Sequence, residues 1–135
     1  MPGEAEKTNT ERVQELYDWF AKSDFEAIRD IMDPDVELHE PKGIAGGGLH
    51  QGFDEIVENV FSRLGTEWED VSVVPDRYVE DGDTVVVLLT WSGTHSETRK
   101  SVKYPNAHVF DFEDGKIVQW RSYVDTALFN AARED

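Results

Sequence analysis

The order of the sequence patterns predicts an α+β fold, with a cone-shaped, curved, mixed or antiparallel sheet and three helices from the first half of the chain packed on its concave face. Apolar residues recur at helical spacing through most of that first half. Four segments of strand character then follow one another without a helix between them. Parallel neighbours would need crossover helices, so these strands pair with each other antiparallel. A curved sheet of this kind leaves a gap at its wide end, where small molecules bind.

The chain of 135 residues predicts one domain, which buries roughly two-thirds of the surface of the unfolded chain. We place the domain at residues 10–130, between flexible tails at 1–9 and 131–135. The longest apolar run, 85–89, is far too short to span a bilayer, and the N-terminus has no apolar signal core. We therefore predict a cytoplasmic protein without a membrane partner. The absence of cysteine excludes disulfides and thiolate metal sites.

The net charge of −16 is the strongest compositional feature. Such a surface repels phosphate backbones and anionic lipids, so it argues against nucleic-acid and membrane partners. Two interpretations remain: a partner with a basic surface, or adaptation to a salty cytosol in which ions screen the self-repulsion. The acidic residues are spread along the chain rather than gathered in a tail, which favours adaptation to salt.

Two helices are predicted before the first strand. Thr8 and Glu11 have the spacing of a capping box, and an apolar stripe then carries the first helix to about residue 22. Ser23 and Glu26 repeat the capping-box spacing at the start of a second striped helix. An Asp-Pro pair at 33–34 ends it, because proline disfavours helix in the residue before it.

A short strand at 36–40, a glycine-rich loop at 43–48 and a third helix at 53–64 complete the first half. The loop lacks the Gly-Lys-Ser/Thr ending of a phosphate-binding loop, so we interpret it as a rim rather than a nucleotide site. Gly65 is the predicted end of the third helix.

The second half of the chain predicts four strands. Pro75 interrupts the first of them and indicates an edge position or a bulge. The next, at 84–94, is almost continuously apolar or β-branched, which indicates burial on both faces. Asp114 and Gly115 then mark a tight turn between the last two strands, and a single helical turn is predicted near Phe129.

Polar residues interrupt the apolar pattern at three places. His108 lies in the middle of the apolar face of its strand, and imidazole chemistry makes it a candidate general acid or base. Of His39 and Glu40 only one can face inward, and Glu40 shares the parity of Leu38. A carboxylate beside an apolar pocket has a raised pKa, which suits a base. Asp125 ends the last strand, where it either serves the pocket or caps the following turn; the residues favour capping.

Three stretches resemble the SnoaL-like polyketide cyclases and ketosteroid-isomerase-like domains of the nuclear transport factor 2-like superfamily. They read DPDVELHEP, HQGFDEIVENV and HVFDFEDGKIVQWRSYVD, and the resemblance covers about residues 10–129. It implies a cone-shaped α+β barrel with a pocket between sheet and helices, and a homodimer packed through the outer sheet face. The family includes isomerases, cyclases, hydrolases, dehydratases and non-catalytic domains, so the resemblance defines the fold more closely than the chemistry.

The resemblance assigns roles to four residues. In the isomerases, a carboxylate before the proline that ends the first strand is the base, and Glu40 occupies that place. The isomerases' second carboxylate falls on His108 and their oxyanion tyrosine falls on Leu16, with Tyr17 as its neighbour. In the cyclases, a histidine on this strand and an aspartate after the last strand serve the pocket, as His108 and Asp125 would here.

The function predicted from the sequence is cofactor-free proton transfer on a small hydrophobic carbonyl or polycyclic substrate, in an isomerase or cyclase. The alternatives are a binding module without chemistry and a dimerisation domain with a vestigial pocket. No metal site is predicted, because the four histidines are scattered without ligand spacing. The predicted catalytic residues are His108, Glu40, Asp125 and Tyr17. The predicted pocket walls are Trp91, Phe110, Trp120, Phe20 and His39.

Overall fold

The computed structural model describes residues 7–134, which form helices and one six-stranded sheet. The elements in chain order are α1 Asn9–Ala21, α2 Phe25–Asp30, β1 Met32–Glu40, β2 Gly48–Gln51, α3 Phe53–Ile56, a π-helical segment Val57–Phe61, α4 Ser62–Glu67, β3 Trp68–Asp81, β4 Thr84–His95, β5 Ser101–Glu113, β6 Lys116–Tyr123 and α5 Thr126–Arg133.

The predicted α+β class and the curved mixed sheet are confirmed. The strand order is β2-β1-β6-β5-β4-β3, and consecutive strands from β3 to β6 pair antiparallel as predicted. β1 runs parallel to β6 and antiparallel to β2, so the first strand lies beside the last one. The sheet curves without closing. Strand β2 was not predicted, because its four residues directly continue the glycine-rich loop.

The helix caps agree with the sequence at α1 and differ at α2. At α1 the predicted capping box is present: the Thr8 hydroxyl accepts from the Glu11 amide at 3.0 Å, and the Glu11 carboxylate accepts from the Thr8 amide at 2.8 Å. Ser23 was predicted to cap α2, but this is wrong: Asp24 accepts from the Ala27 amide at 3.2 Å. Ser23 instead takes a left-handed conformation, with φ of 57°, in the turn between the two helices.

The third helical run continues past its predicted end. Gly65 lies inside α4 rather than after it, and the run extends to Glu67. A π-helical segment, Val57–Phe61, lies in the middle of this run. The run ends where Trp68, 4% exposed, enters β3 and packs into the core.

Strand β4 alternates between two environments. Val85, Val87 and Leu89 point into the core and are at most 1% exposed, whereas Leu88 on the other face is 43% exposed. The predicted burial of both faces is therefore wrong for the single chain. The outer face also exposes Val74, and it is the face that a second copy would cover in the homodimer that the resemblance implies. The homodimer stays a prediction.

The edge position predicted from Pro75 is confirmed. β3 is the last strand of the sheet, and its pairing with β4 shifts register between Pro75 and Arg77. β1 is longer than predicted because it begins at Met32 and includes the Asp-Pro pair. The pairing of β1 with β6 shifts register between Met32 and Glu37. The strand therefore tolerates Pro34, which has no N–H group to donate to the sheet.

The C-terminal segment is more ordered than the sequence indicated. The single turn predicted near Phe129 is the eight-residue helix α5, which continues to Arg133. Ala132 is only 4% exposed, so this part of the predicted 131–135 tail belongs to the packed domain. Residues 1–6 of the predicted N-terminal tail and Asp135 lie outside the described residues. Within residues 7–134, no helix combines the length and apolar character needed to cross a membrane.

The predicted hairpin between β5 and β6 is confirmed. Both central residues of the turn are left-handed, Asp114 with φ of 50° and Gly115 with φ of 77°, as a two-residue turn requires. The hairpin fixes the register that places every second residue of both strands on the inner face.

Replacing two glycines by alanine should have opposite effects on stability. Gly115→Ala should lower the free energy of unfolding by about 1–2 kcal/mol, because a side chain disfavours the left-handed conformation. Gly65→Ala should raise it by about 0.5–1 kcal/mol, since Gly65 lies in a helix and an added methyl group meets no atom within 4 Å. Urea denaturation of both variants tests the pair, and equal shifts in one direction would contradict the structure.

Candidate functional site

A cavity of about 90 Å³ lies between the inner face of the sheet and the helices α1, π and α4. Most of its lining is apolar, and aromatic rings form much of the wall. The larger apolar residues include Leu16, Phe20, Phe61, Trp68, Trp91 and Trp120. The geometry is that of a small-molecule pocket, which is mainly apolar with a few polar groups that fix a ligand's orientation.

Strand β5 contributes three polar side chains to the cavity. Tyr104, Asn106 and His108 occupy alternate positions of β5, and all three are at most 8% exposed. Ser122 on β6 pairs directly with His108 and also lines the cavity. The sequence analysis missed Asn106 and Ser122. The signal was present, because each shares strand parity with a residue that had been identified, His108 and Trp120 respectively.

Tyr17 and His108 form a buried pair that joins α1 to β5. The Tyr17 hydroxyl lies 2.8 Å from Nδ1 of His108, and the two rings are nearly parallel, with centroids 5.9 Å apart. Phe110 and Trp120 surround the imidazole with their rings at 6.0 and 5.5 Å. Tyr17 therefore reaches the cavity although it lies one residue from the position that the resemblance favoured.

Burial keeps both members of this pair neutral. It lowers the pKa of His108 to about 3 and raises the pKa of Tyr17 far above its ordinary value. We assign the protonated Tyr17 hydroxyl as donor to Nδ1, because in the described part of the chain it has no other hydrogen-bond acceptor. The proton of the neutral imidazole then lies on Nε2. His108 is thus a hydrogen-bond donor at neutral pH rather than the titrating acid or base that the sequence suggested.

Glu40 is the inward-facing residue at the end of β1. Leu38, two residues earlier, is 1% exposed and shares its parity, whereas His39 bonds outward to Glu37 at 3.2 Å. Burial raises the pKa of Glu40 to about 7, and a hydrogen bond from Ser122 opposes the rise. Glu40 therefore exchanges a proton near neutral pH, as the sequence analysis expected of a carboxylate in this environment.

Three residues of the predicted site lie outside the cavity lining. His39 points to the outer face, and Phe110, which is fully buried, packs behind the wall. Asp125 is exposed and caps α5, with its carboxylate accepting from the Leu128 amide at 3.0 Å. Phe20, Trp91 and Trp120 do line the cavity.

Charged residues line the solvent-exposed part of the cavity. Arg63 lies 2.8 Å from Glu67, four residues on, and Arg133 approaches the same carboxylate at 3.3 Å. Two guanidinium groups thus share the carboxylate of Glu67. The Arg63 and Glu67 spacing was visible in the sequence, but only the fold shows that both residues belong to the cavity.

The described residues contain no group of three or more histidine, aspartate, glutamate or cysteine side chains arranged to hold a metal ion. The histidines serve separate parts of the structure. His50 contacts the carbonyl oxygen of Gly46 at 2.7 Å, and His95 stacks edge-on against Trp68. The predicted lack of a metal and of a cofactor stays a prediction.

The fold and this cavity are those of a SnoaL-like domain. The family model for that domain matches residues 13–120, and the chain belongs to this family. Comparison with the curated proteins gives no match.

Three solved structures are similar to the chain over nearly its whole length. An NTF2-like protein from Burkholderia thailandensis E264 shares 34% identity, with 96% of this chain and 99% of that chain covered and a TM-score of 0.91. An NTF2-like protein of unknown function from Burkholderia pseudomallei K96243 shares 29% identity, with 92% and 95% covered and a TM-score of 0.86. TerC, co-crystallised with polyporic acid, shares 28% identity, with 94% and 98% covered and a TM-score of 0.85.

The raised pKa of Glu40 predicts a pH-dependent effect of Glu40→Gln on stability. Between the ordinary pKa of 4.5 and the folded value of about 7, the folded state holds a proton that the unfolded state has lost. The wild-type protein therefore loses stability as pH rises through this window, by up to about 3 kcal/mol. The variant carries no such carboxyl, so its stability advantage should be small near the acidic end of the window and largest above neutral pH. Chemical denaturation across this range tests it, and a difference independent of pH would contradict the assignment.

The capping role of Asp125 predicts that two substitutions of this residue affect stability differently. Asp125→Ala should lower the free energy of unfolding by about 1 kcal/mol, because the Leu128 amide loses its acceptor. Asp125→Asn keeps an acceptor oxygen and should stay close to the wild type. Thermal unfolding distinguishes them. If instead both variants lose ligand binding at unchanged stability, Asp125 serves the cavity.

Proposed function

We propose that the cavity binds a small hydrophobic carbonyl compound and that Glu40 transfers a proton on it, in an isomerase or cyclase reaction without a cofactor. The observation that carries this proposal is the position of Glu40 in a mainly apolar cavity beside the Tyr17–His108 pair, where burial raises its pKa to about 7. A base is most effective when its pKa lies near the working pH. Membership of the SnoaL-like family supports the same class of reaction.

In the proposed step, Glu40 removes a proton from the carbon next to the carbonyl group. The electron pair of the broken C–H bond forms a carbon–carbon double bond, and the carbonyl pair moves onto oxygen. In an unsaturated ketone, protonated Glu40 then returns the proton to the far carbon of the extended enolate, which moves the double bond. Alternatively, the enolate carbon attacks a second carbonyl group and closes a ring, the pair of that C=O bond moves onto its oxygen, and this alkoxide takes the proton from Glu40. No electrons enter or leave, so no redox cofactor is needed.

The aromatic wall supports an aromatic or polycyclic substrate. Trp91 stacks on Tyr104 with ring centroids 5.4 Å apart, and Trp120 packs against Phe61 at 6.1 Å. Flat hydrophobic ligands gain both burial and ring contacts in such a space. Polyporic acid, the compound crystallised with the similar protein TerC, combines aromatic rings with quinone carbonyls and is a suitable first ligand to test.

A binding module without chemistry is the second candidate. It is favoured by the burial of His108, which keeps the imidazole from titrating near neutral pH. Glu40 is then the cavity group that titrates most readily there, without His108 as a second acid or base. In this alternative the cavity stores or carries an apolar ligand, and Glu40 only orients it.

Deuterium exchange into 1-tetralone distinguishes the two candidates. This aromatic ketone has acidic C–H bonds next to its carbonyl group, and proton NMR in D2O follows their loss. The wild-type protein should catalyse the exchange, and Glu40→Gln should slow it by about 100-fold or more. Glu37→Gln is the matched control, since Glu37 lies on the same strand but faces outward. Tetralone binding without any exchange would favour the binding module, and unchanged exchange in Glu40→Gln would contradict the role of Glu40.

A further inference from the structure

We infer that Asn106 is a catalytic residue, which donates a hydrogen bond to the substrate's carbonyl oxygen and forms an oxyanion site together with His108. This inference rests on the proposed function and adds the group that stabilises the enolate. The negative charge that develops on oxygen during proton abstraction needs hydrogen-bond donors fixed in place beforehand.

The orientation of the Asn106 amide is fixed by its own backbone. Its Oδ1 accepts from the Ala107 amide at 2.7 Å, so the Nδ2 group, which has two N–H donors, must point the other way. Asn106 is 7% exposed and lines the cavity. Among the described residues, Nδ2 has no hydrogen-bond partner, yet it is not cut off from the cavity space. The Nδ2 donors therefore face the cavity without a partner among the described residues and are available to a ligand oxygen.

His108 supplies the second donor from the same side of the strand. Residues two apart on a strand point in one direction with a spacing of about 6.5 Å, so Asn106 and His108 are neighbours on the inner face and both border the cavity. Nε2 of His108 carries the imidazole proton because Nδ1 accepts from Tyr17. Both donors are neutral, so they leave a neutral carbonyl group little changed and bind most strongly once its oxygen becomes negative.

Other polar groups of the cavity are less suited to this role. The Ser122 hydroxyl bonds to Glu40. Tyr104 lies four residues before His108 on β5, about 13 Å along the strand. Asn59 lies on the π-helical segment rather than on the sheet. The indole Nε1 of Trp120 also has no partner among the described residues, but it is fully buried, so a ligand oxygen cannot reach it. Asn106 is therefore the cavity-lining donor nearest to His108 along β5.

The experiment measures binding of ionised 4-nitrophenol, whose phenolate oxygen resembles an enolate and whose colour reports ionisation. Glu40→Gln is the common background, because it removes the carboxylate that would repel the phenolate. In this background, Asn106→Asp replaces the donor by acceptor oxygens and should weaken phenolate binding by about 10- to 100-fold, and Asn106→Leu by about 10-fold. Binding of uncharged 4-nitroanisole should change less than about threefold in either variant.

Asn9→Asp is the control for added charge, since it makes the same chemical change on α1 outside the cavity and should leave both affinities unaltered. Equal losses of phenolate binding in Asn9→Asp and Asn106→Asp, or unaltered phenolate binding in Asn106→Leu, would overturn the inference. Binding of 4-nitroanisole without a preference for the phenolate would overturn the oxyanion site alone. If neither compound binds, the small-molecule cavity of the proposed function fails, and the inference fails with it.

Discussion

One buried hydrogen bond, from the Tyr17 hydroxyl to His108, joins helix α1 to strand β5 in the wall of the cavity. Its surroundings are apolar, so neither partner can carry a charge at neutral pH. The same loss of water raises the pKa of Glu40, as it does that of Tyr17, and keeps the Glu40 carboxyl protonated up to near neutrality. Loss of water thus keeps Tyr17 and His108 from titrating near neutral pH but brings the pKa of Glu40 into that range. The chemistry available to the cavity follows from that difference.

The fold could be predicted from the sequence because its main signals are local and periodic. Helical stripes, strand alternation, the Asp114-Gly115 turn and the edge proline Pro75 each reflect a conformational preference of a few neighbouring residues. The errors occurred where tertiary contacts outweigh those preferences. Ser23 gives up the α2 cap to Asp24 at a left-handed turn, and Gly65 stays helical because the helix must deliver Trp68 to the core.

The candidate site was predictable only in part, because strand parity states which residues share a face but not which of them border empty space. Parity correctly predicted that Glu40, and not His39, faces inward. It also placed Phe110 with the cavity residues, although this ring packs behind the cavity wall. Asn106 has the same parity as His108, but it was not recognised as a site residue because the pattern around it is apolar. The protonation state of His108 depends on how completely its neighbours exclude water, and that quantity has no counterpart in a linear pattern.

β1, the first strand along the chain, pairs parallel with β6, the last one, and Leu38 lies opposite Trp120. Glu40 takes its position from this pairing, although some eighty residues separate the two strands along the chain. Burial of the Glu40 carboxyl, and with it the rise of its pKa, therefore requires that the last strand has already paired with the first. Before β6 pairs, the edges of β1 and β5 that it later covers are exposed, and exposed strand edges favour association between chains. The net charge of −16 would oppose that association, because neighbouring chains repel each other.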